Sequence, residues 1–129
     1  MGVKDKRRNL SQRMNRMGFI TTDYDNDSII FKSGETTFVL QLYENANDYY
    51  RLVLPNFYKV NEKEINRILE IINEANISYR CAKVLYVHGE LWVSLEVFFD
   101  NEGHFLNKLI ELLNLAKACA LKVLEAING

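Results

Sequence analysis

Residues Asn61 to Phe99 constrain this chain more than any other stretch, because two different hydrophobic periods meet there with almost no spacer. Ile65, Ile68, Leu69, Ile72 and Ala75 recur three and four residues apart, the stripe of an amphipathic helix. Asn61 stands where a cap belongs, Glu64 completes a capping-box pattern, and Asn76 can take the left-handed conformation that closes a helix. Beyond Asn76 the period drops to two. With His88-Gly89 as a tight turn, Val84 faces Val93, Tyr86 faces Leu91 and Ala82 faces Leu95. One face of this hairpin, completed by Val97, can close a core. The other carries Tyr79, Cys81, Lys83, Leu85, Trp92, Ser94, Glu96 and Phe98, too apolar for a simply solvated surface. Either another part of the chain or a second subunit is expected to cover it.

The segments on either side extend the same plan. Leu10, Met14 and Met17 predict a helix over Lys4 to Met17, ended by Gly18. Ile29-Ile30-Phe31 reads as a short strand. A turn at Ser33-Gly34 would place Ile29 opposite Phe38. Thr36 to Tyr43 alternates, with Phe38, Leu40 and Leu42 on one face and Val39, Gln41 and Tyr43 on the other. A polar loop, Glu44 to Asp48, leads to a strand over Tyr49 to Leu54, which Pro55 is expected to end. A long helix from Gly103 to Ile127, capped by Asp100 or Asn101, carries a main stripe of Leu106, Leu109, Leu113, Ala120, Leu124 and Ile127. A second set, Phe105, Leu112, Cys119 and Val123, lies to one side, so this helix is expected to be heavily buried and to lend that set to an interface. The order is α-β-β-β-α-β-β-α. It predicts an α+β fold: an antiparallel sheet of about five strands with helices mainly on one face.

Length and charge bound the function classes. A chain of 129 residues fits one domain, and a net charge of −1 gives no global bias toward nucleic acid or anionic membrane. Cys81 and Cys119 lie in apolar segments without a C-x-x-C pair, as reduced thiols would. The polar, basic start has no apolar stretch behind it, and Leu109 to Ala120 is too short and too interrupted to span a bilayer, so a cytoplasmic protein is expected.

Gly18-Phe19 after the first helix, the paired strands from Ile29 to Leu54, and above all Ile71-Ile72-Asn73-Glu74-Ala75-Asn76 leading into Tyr79-Arg80-Cys81-Ala82-Lys83 resemble the YbjN-like family of small bacterial proteins. That family shows an I-N-x-x-N helix end there, then a strand, a glycine-containing turn and a second strand. The resemblance spans most of the chain and implies a single domain, residues 1–129, with a fold like that of type III secretion chaperones and a tendency to dimerise. Family members are labelled sensory transduction regulators. The resemblance brings no catalytic residues.

The residues themselves offer little chemistry. Asp23-Tyr24-Asp25-Asn26-Asp27 opens like a calcium loop, but the required glycine and glutamate positions hold Ser28 and Gly34, so an acidic turn is expected. His88 and His104 have no second ligand at metal spacing, and no phosphate-binding glycine motif occurs. No metal, cofactor or catalytic group is therefore assigned, and the chain is read as a non-enzyme. Arg67 lies within one helical turn of Glu64 and Glu70, a solvated charged surface. The first helix concentrates charge: Lys4, Lys6, Arg7, Arg8, Arg13 and Arg16 against Asp5 give +5, leaving −6 for the remainder. Arg7, Arg8, Arg13 and Arg16 form a candidate basic patch for an acidic partner, or for nucleic acid as a less favoured alternative. The stronger candidate is an apolar interface of Tyr79, Leu85, Trp92, Phe98, Phe105 and Leu112. The expected function is a homodimeric, protein-binding domain, chaperone-like or a signalling regulator, without membrane contact.

Overall fold

The computed structural model describes residues 2–46 and 48–129, with only the backbone of Asp23; Asn47, in the expected polar loop, lies outside the described residues. The chain runs α1 (Val3–Arg16), β1 (Thr21–Asp23), β2 (Ser28–Ser33), β3 (Thr36–Gln41), β4 (Tyr49–Lys59), a single 3-10 turn (Glu62–Glu64), α2 (Ile65–Ser78), β5 (Ala82–Val87), β6 (Glu90–Phe98) and α3 (Glu102–Asn128). The strands form one sheet in the order β1-β2-β3-β4-β6-β5, every pair antiparallel. The fold is thus α+β as expected, with six strands. β1, at three residues, is too short to announce itself by alternation.

The helix boundaries follow local chemistry. At the end of α1, Gly18 adopts φ 101°, its N–H bonds to Asn15 and the N–H of Phe19 bonds back to Met14, the paired bonds of a Schellman closure. Asn61 accepts from the N–H of Lys63, and the Glu64 carboxylate accepts from the N–H of Asn61, so the capping box forms, although its first turn is 3-10. Asn101, rather than Asp100, caps α3 by accepting from the N–H of His104 at 2.9 Å. Arg67 spends its guanidinium on the carbonyls of Ala126 and Ile127, closing the C-terminal end of α3 instead of pairing within α2.

The hairpin of β5 and β6 has the expected register: Ala82–Leu95, Val84–Val93 and Tyr86–Leu91 pair around a turn in which His88 and Gly89 both have positive φ. Three expectations are corrected. The β2–β3 turn is Gly34-Glu35, so Ile29 pairs with Leu40 and Phe31 with Phe38. The slip is an even number of residues, so every side chain keeps its face. Pro55 does not end a strand, because β4 continues to Lys59 through a bulge between Leu54 and Tyr58, where Trp92 alone of β6 lies opposite three residues. A proline there removes no ladder hydrogen bond. Asn76 does not close α2 either; the helix runs on to Ser78 and the Asn76 side chain turns to β5.

The inner face of the sheet and the helices enclose the core. Ile29, Phe31, Phe38, Leu40, Tyr50, Leu52, Leu91, Val93 and Leu95 are all 1% exposed or less. α3, about 40 Å long at 1.5 Å per residue, covers them with Phe105, Leu109, Leu113, Ala116 and Val123. Phe105 stacks on Tyr50 with centroids 4.1 Å apart and planes 2° from parallel. Most of the apolar arc of α3 is therefore absorbed inside the chain, with Ile110 and Leu121 left exposed, and Phe105, fully buried, is core; Leu112 is half-buried against the same cluster. No helix among the described residues is long and apolar enough to cross a membrane. Phe105→Ala should cost about 3–5 kcal/mol, the range for removing a buried aromatic ring, read from urea unfolding, while leaving the mass of the folded species unchanged.

Candidate interface on the open sheet face

Alternation along each strand sends one set of side chains to the helices and leaves the other set outside. Helices α1, α2 and α3 pack on the inner face, so among the described residues the outer face is a sheet surface without a layer over it. Its residues form cross-strand rows. Thr22, Ile30, Val39, Val53, Ser94 and Lys83 pair in succession across all six strands. Ser28, Gln41, Arg51 and Glu96 make a parallel polar row. Trp92 pairs with Leu85 on one side of these rows, and Tyr49 pairs with Phe98 on the other.

Arg51 organises the centre. Its Nε donates to Ser94 Oγ at 3.0 Å, its Nη1 donates to Gln41 Oε1 at 3.0 Å, and Glu96 stands 3.9 Å away. The bond to Ser94 lays the guanidinium across that residue, which is buried on an otherwise uncovered face, as is Val53 beside it. Arg51 thereby separates two shallow depressions. One of about 350 Å³ is floored by Ile30, Val39 and Val53 and walled by Trp92 and Tyr24. The other, about 280 Å³, lies between Cys81, Lys83, Leu85 and Glu96. Trp92 is half-buried, lies opposite the β4 bulge, and donates its Nε1–H to Glu90 Oε1 at 3.0 Å, so its ring is held in place. At the far end Tyr43, Tyr49 and Phe98 form a chain of ring contacts at 5.0 and 5.1 Å, and Phe98 is 70% exposed. Burial, then the Glu96 carboxylate, pushes the Tyr49 phenol above its usual range.

Of the six apolar residues expected at an interface, the structure brings Leu85, Trp92 and Phe98 onto this face. Tyr79 is not with them. Cys81 has φ 56°, which breaks the strand alternation, and Tyr79 caps the end of α2 and lines an apolar groove of about 180 Å³ between α2 and α3 with Ile71, Ala75 and Val123. Arg51, Ile30 and Val53 complete the face and escaped the sequence reading. Their signal was present in the outward positions of alternating strands, but only the sheet order shows that β4 lies beside β6.

The fold gives three of the four basic-patch residues partners within the chain, while the Arg8–Asp5 pair and Arg16 stay at the surface. Arg7 donates to the Asp25 carbonyl, Arg8 pairs with Asp5 at 2.5 Å, and Arg13 pairs with Glu102 at 3.0 Å, tying α1 to the start of α3. Arg16 lines a polar cleft between these helices with Arg13 and Asn107. Lys6 is buried, its ammonium 4.3 Å above the Tyr50 ring, and desolvation lowers its pKa against the pull of Glu102 and Asp48. Cys119 is buried, which pushes its thiol up to about 11, and Cys81 is exposed; both are free. Asp25 and Asp27 share a hydrogen-bonded turn that lowers the first carboxyl and raises the second. No group of three His, Cys, Asp or Glu side chains suited to a metal ion occurs among the described residues.

Together these elements define a one-sided α+β arrangement: a meander, a helix and a hairpin in a single antiparallel sheet, with all three helices on one face. It is the fold of the YbjN structure. The crystal structure of YbjN, a candidate transcription regulator from E. coli, matches with a TM-score of 0.67 over 94% of this chain and 90% of that one, at 11% identity. The resemblance carried by residues 18–19, 29–54 and 71–83 is met at the level of fold. No family model and no curated protein matches the sequence.

The Tyr50–Phe105 stack carries a pH signature. Burial, reinforced by the Glu102 carboxylate, pushes the Tyr50 phenol up to about 12. Unfolded tyrosine releases its proton near pH ~10. Unfolding therefore releases a proton between those values, so this contribution to stability is complete below pH ~10 and lost as pH rises through about 12. Melting temperatures across that range should fall more steeply for the wild type than for Tyr50→Phe; parallel curves would refute the assignment.

Proposed function

We propose that this chain is a non-enzymatic, cytoplasmic regulator-type protein that acts by binding protein through its open sheet face, and that the first occupant of that face is a second copy of itself. The single observation behind this reading is the uncovered outer face, with Trp92 fixed beside a depression and Phe98 exposed at the other end. Fixed aromatic rings beside shallow apolar floors are what interface anchors look like. Five inter-strand spacings of about 4.8 Å and a mean strand length of about 20 Å give a planar footprint of ~480 Å², more than half of the ~800 Å² per partner of a standard interface before side-chain relief is counted.

The charges favour a self-partner. Arg51 and Lys83 share the face with Glu90 and Glu96, so a two-fold related copy can set opposite charges against each other, whereas a patch of one sign would repel itself. A regulatory role, rather than a catalytic one, is supported by the description of YbjN as a candidate transcription regulator. A chaperone-like use of the same face, holding a peptide segment, is a variant of this reading. The YbjN description also keeps a nucleic-acid-linked role in view, and Arg8 and Arg16 on the exposed side of α1 would carry it.

Sedimentation at high micromolar concentration decides the leading reading. The wild type is expected to run as a dimer and Trp92→Glu as a folded monomer; two folded monomers would overturn it. For the nucleic-acid role, Arg8→Glu with Arg16→Glu should abolish salt-dependent retention of duplex DNA at low ionic strength. A wild type that shows no retention there removes that role.

A further inference from the structure

β5 is an outer strand of the sheet, and such strands offer unpaired backbone groups to any other strand. Here the middle of that edge is occupied by a side chain. Asn76 accepts from the N–H of Val84 at 2.6 Å and donates to the carbonyl of Val84 at 3.1 Å. Both backbone groups of Val84 therefore point away from β6, while its side chain, 2% exposed, points into the core. One primary amide thus supplies the same two bonds that a residue of a neighbouring antiparallel strand would supply.

We infer that Asn76 is a plug on a latent strand-pairing edge, and that the occupant it excludes is β5 of a second copy. The register supports this partner. Antiparallel pairing about a two-fold axis through Val84 sets Val84 against its equivalent, which exchanges two backbone bonds in place of those made by Asn76. It sets Lys83 against Leu85 and Ala82 against Tyr86, so no like charges stand opposite each other. The two sheets would then run on as one. The plug is held from behind, since α2 continues past Asn76 to Ser78, Ser78 Oγ bonds to the Glu74 carbonyl, and Lys83 Nζ donates to the Asn76 carbonyl at 3.2 Å. Fraying of this last turn of α2 is what would open the edge. The inference concerns the edge of the sheet and stands independently of the outer-face interface.

The test compares sedimentation of Asn76→Ala with its parent at equal concentration, in the wild-type and Trp92→Glu backgrounds, so that edge pairing is read separately from outer-face association. Asn76→Ala is expected to double the mass of its parent in the Trp92→Glu background and to raise it at least twofold in the wild type, where each outer-face dimer would carry two freed edges. Adding Val84→Pro, which removes the outward N–H without touching the ladder to β6, should abolish the doubling. A folded Asn76→Ala that matches its parent in both backgrounds overturns the proposal, as does doubling that survives Val84→Pro. Should Asn76→Ala fail to fold, Asn76→Ser, whose shorter side chain cannot make both bonds to Val84, is read in its place by the same criteria.

Discussion

The ladder between β4 and β6 is the interaction on which the rest of the molecule depends. It pairs Tyr49–Phe98 at one end and Lys59–Glu90 at the other, and it joins two segments separated in sequence by α2 and β5. Without it the chain would hold a four-stranded meander and a separate two-stranded hairpin, and a lone hairpin is marginally stable in water. With it, Tyr50, Leu52 and Leu54 lie beside Val93, Leu95 and Val97 on one inner surface, and α3 has a floor wide enough to dock along its length. The same alternation that supplies this floor fixes what is left outside. Arg51, Val53, Trp92 and Ser94 are the obligatory other half of the two central strands.

That outer half is braced by its own polar bonds. Arg51 is tied to Gln41 and Ser94, and Trp92 to Glu90, so the two largest side chains at its centre are fixed by polar bonds within the chain. Side chains held this way have little rotamer freedom left to lose. The basic first helix shows the same. Its charge is conspicuous in the sequence, yet Arg7, Arg8 and Arg13 are engaged with Asp25, Asp5 and Glu102 inside the chain.

The helix of the central block and the register of the hairpin after it could be read from the residues because both are local. A cap, a stripe and a turn of two residues each act within a few positions. What escaped reading is non-local. Phe105 belongs to an apolar band on α3 that sequence places equally well in a core or an interface, and only its stack on Tyr50, more than fifty residues away, decides the matter. Pro55 reads as a strand end because the bulge that accommodates it is defined by β6. Asn76 has the residue type and place of a helix closure, but the amide reaches Val84 before the helix has finished. Arg51 carries no local mark at all, since its partners come from β3 and β6.

The sheet order also sets a schedule for synthesis. β4 is complete when Lys59 has been made, but its partner is not complete until Phe98. At roughly 5–20 residues per second, a ribosome takes about 2–8 s to cross that gap. Throughout this interval the nascent meander presents the long edge of β4 and the inward row of Tyr50, Leu52 and Leu54 with nothing to cover them. The strand that later binds the two halves together is therefore the most vulnerable segment of the protein while it is being made.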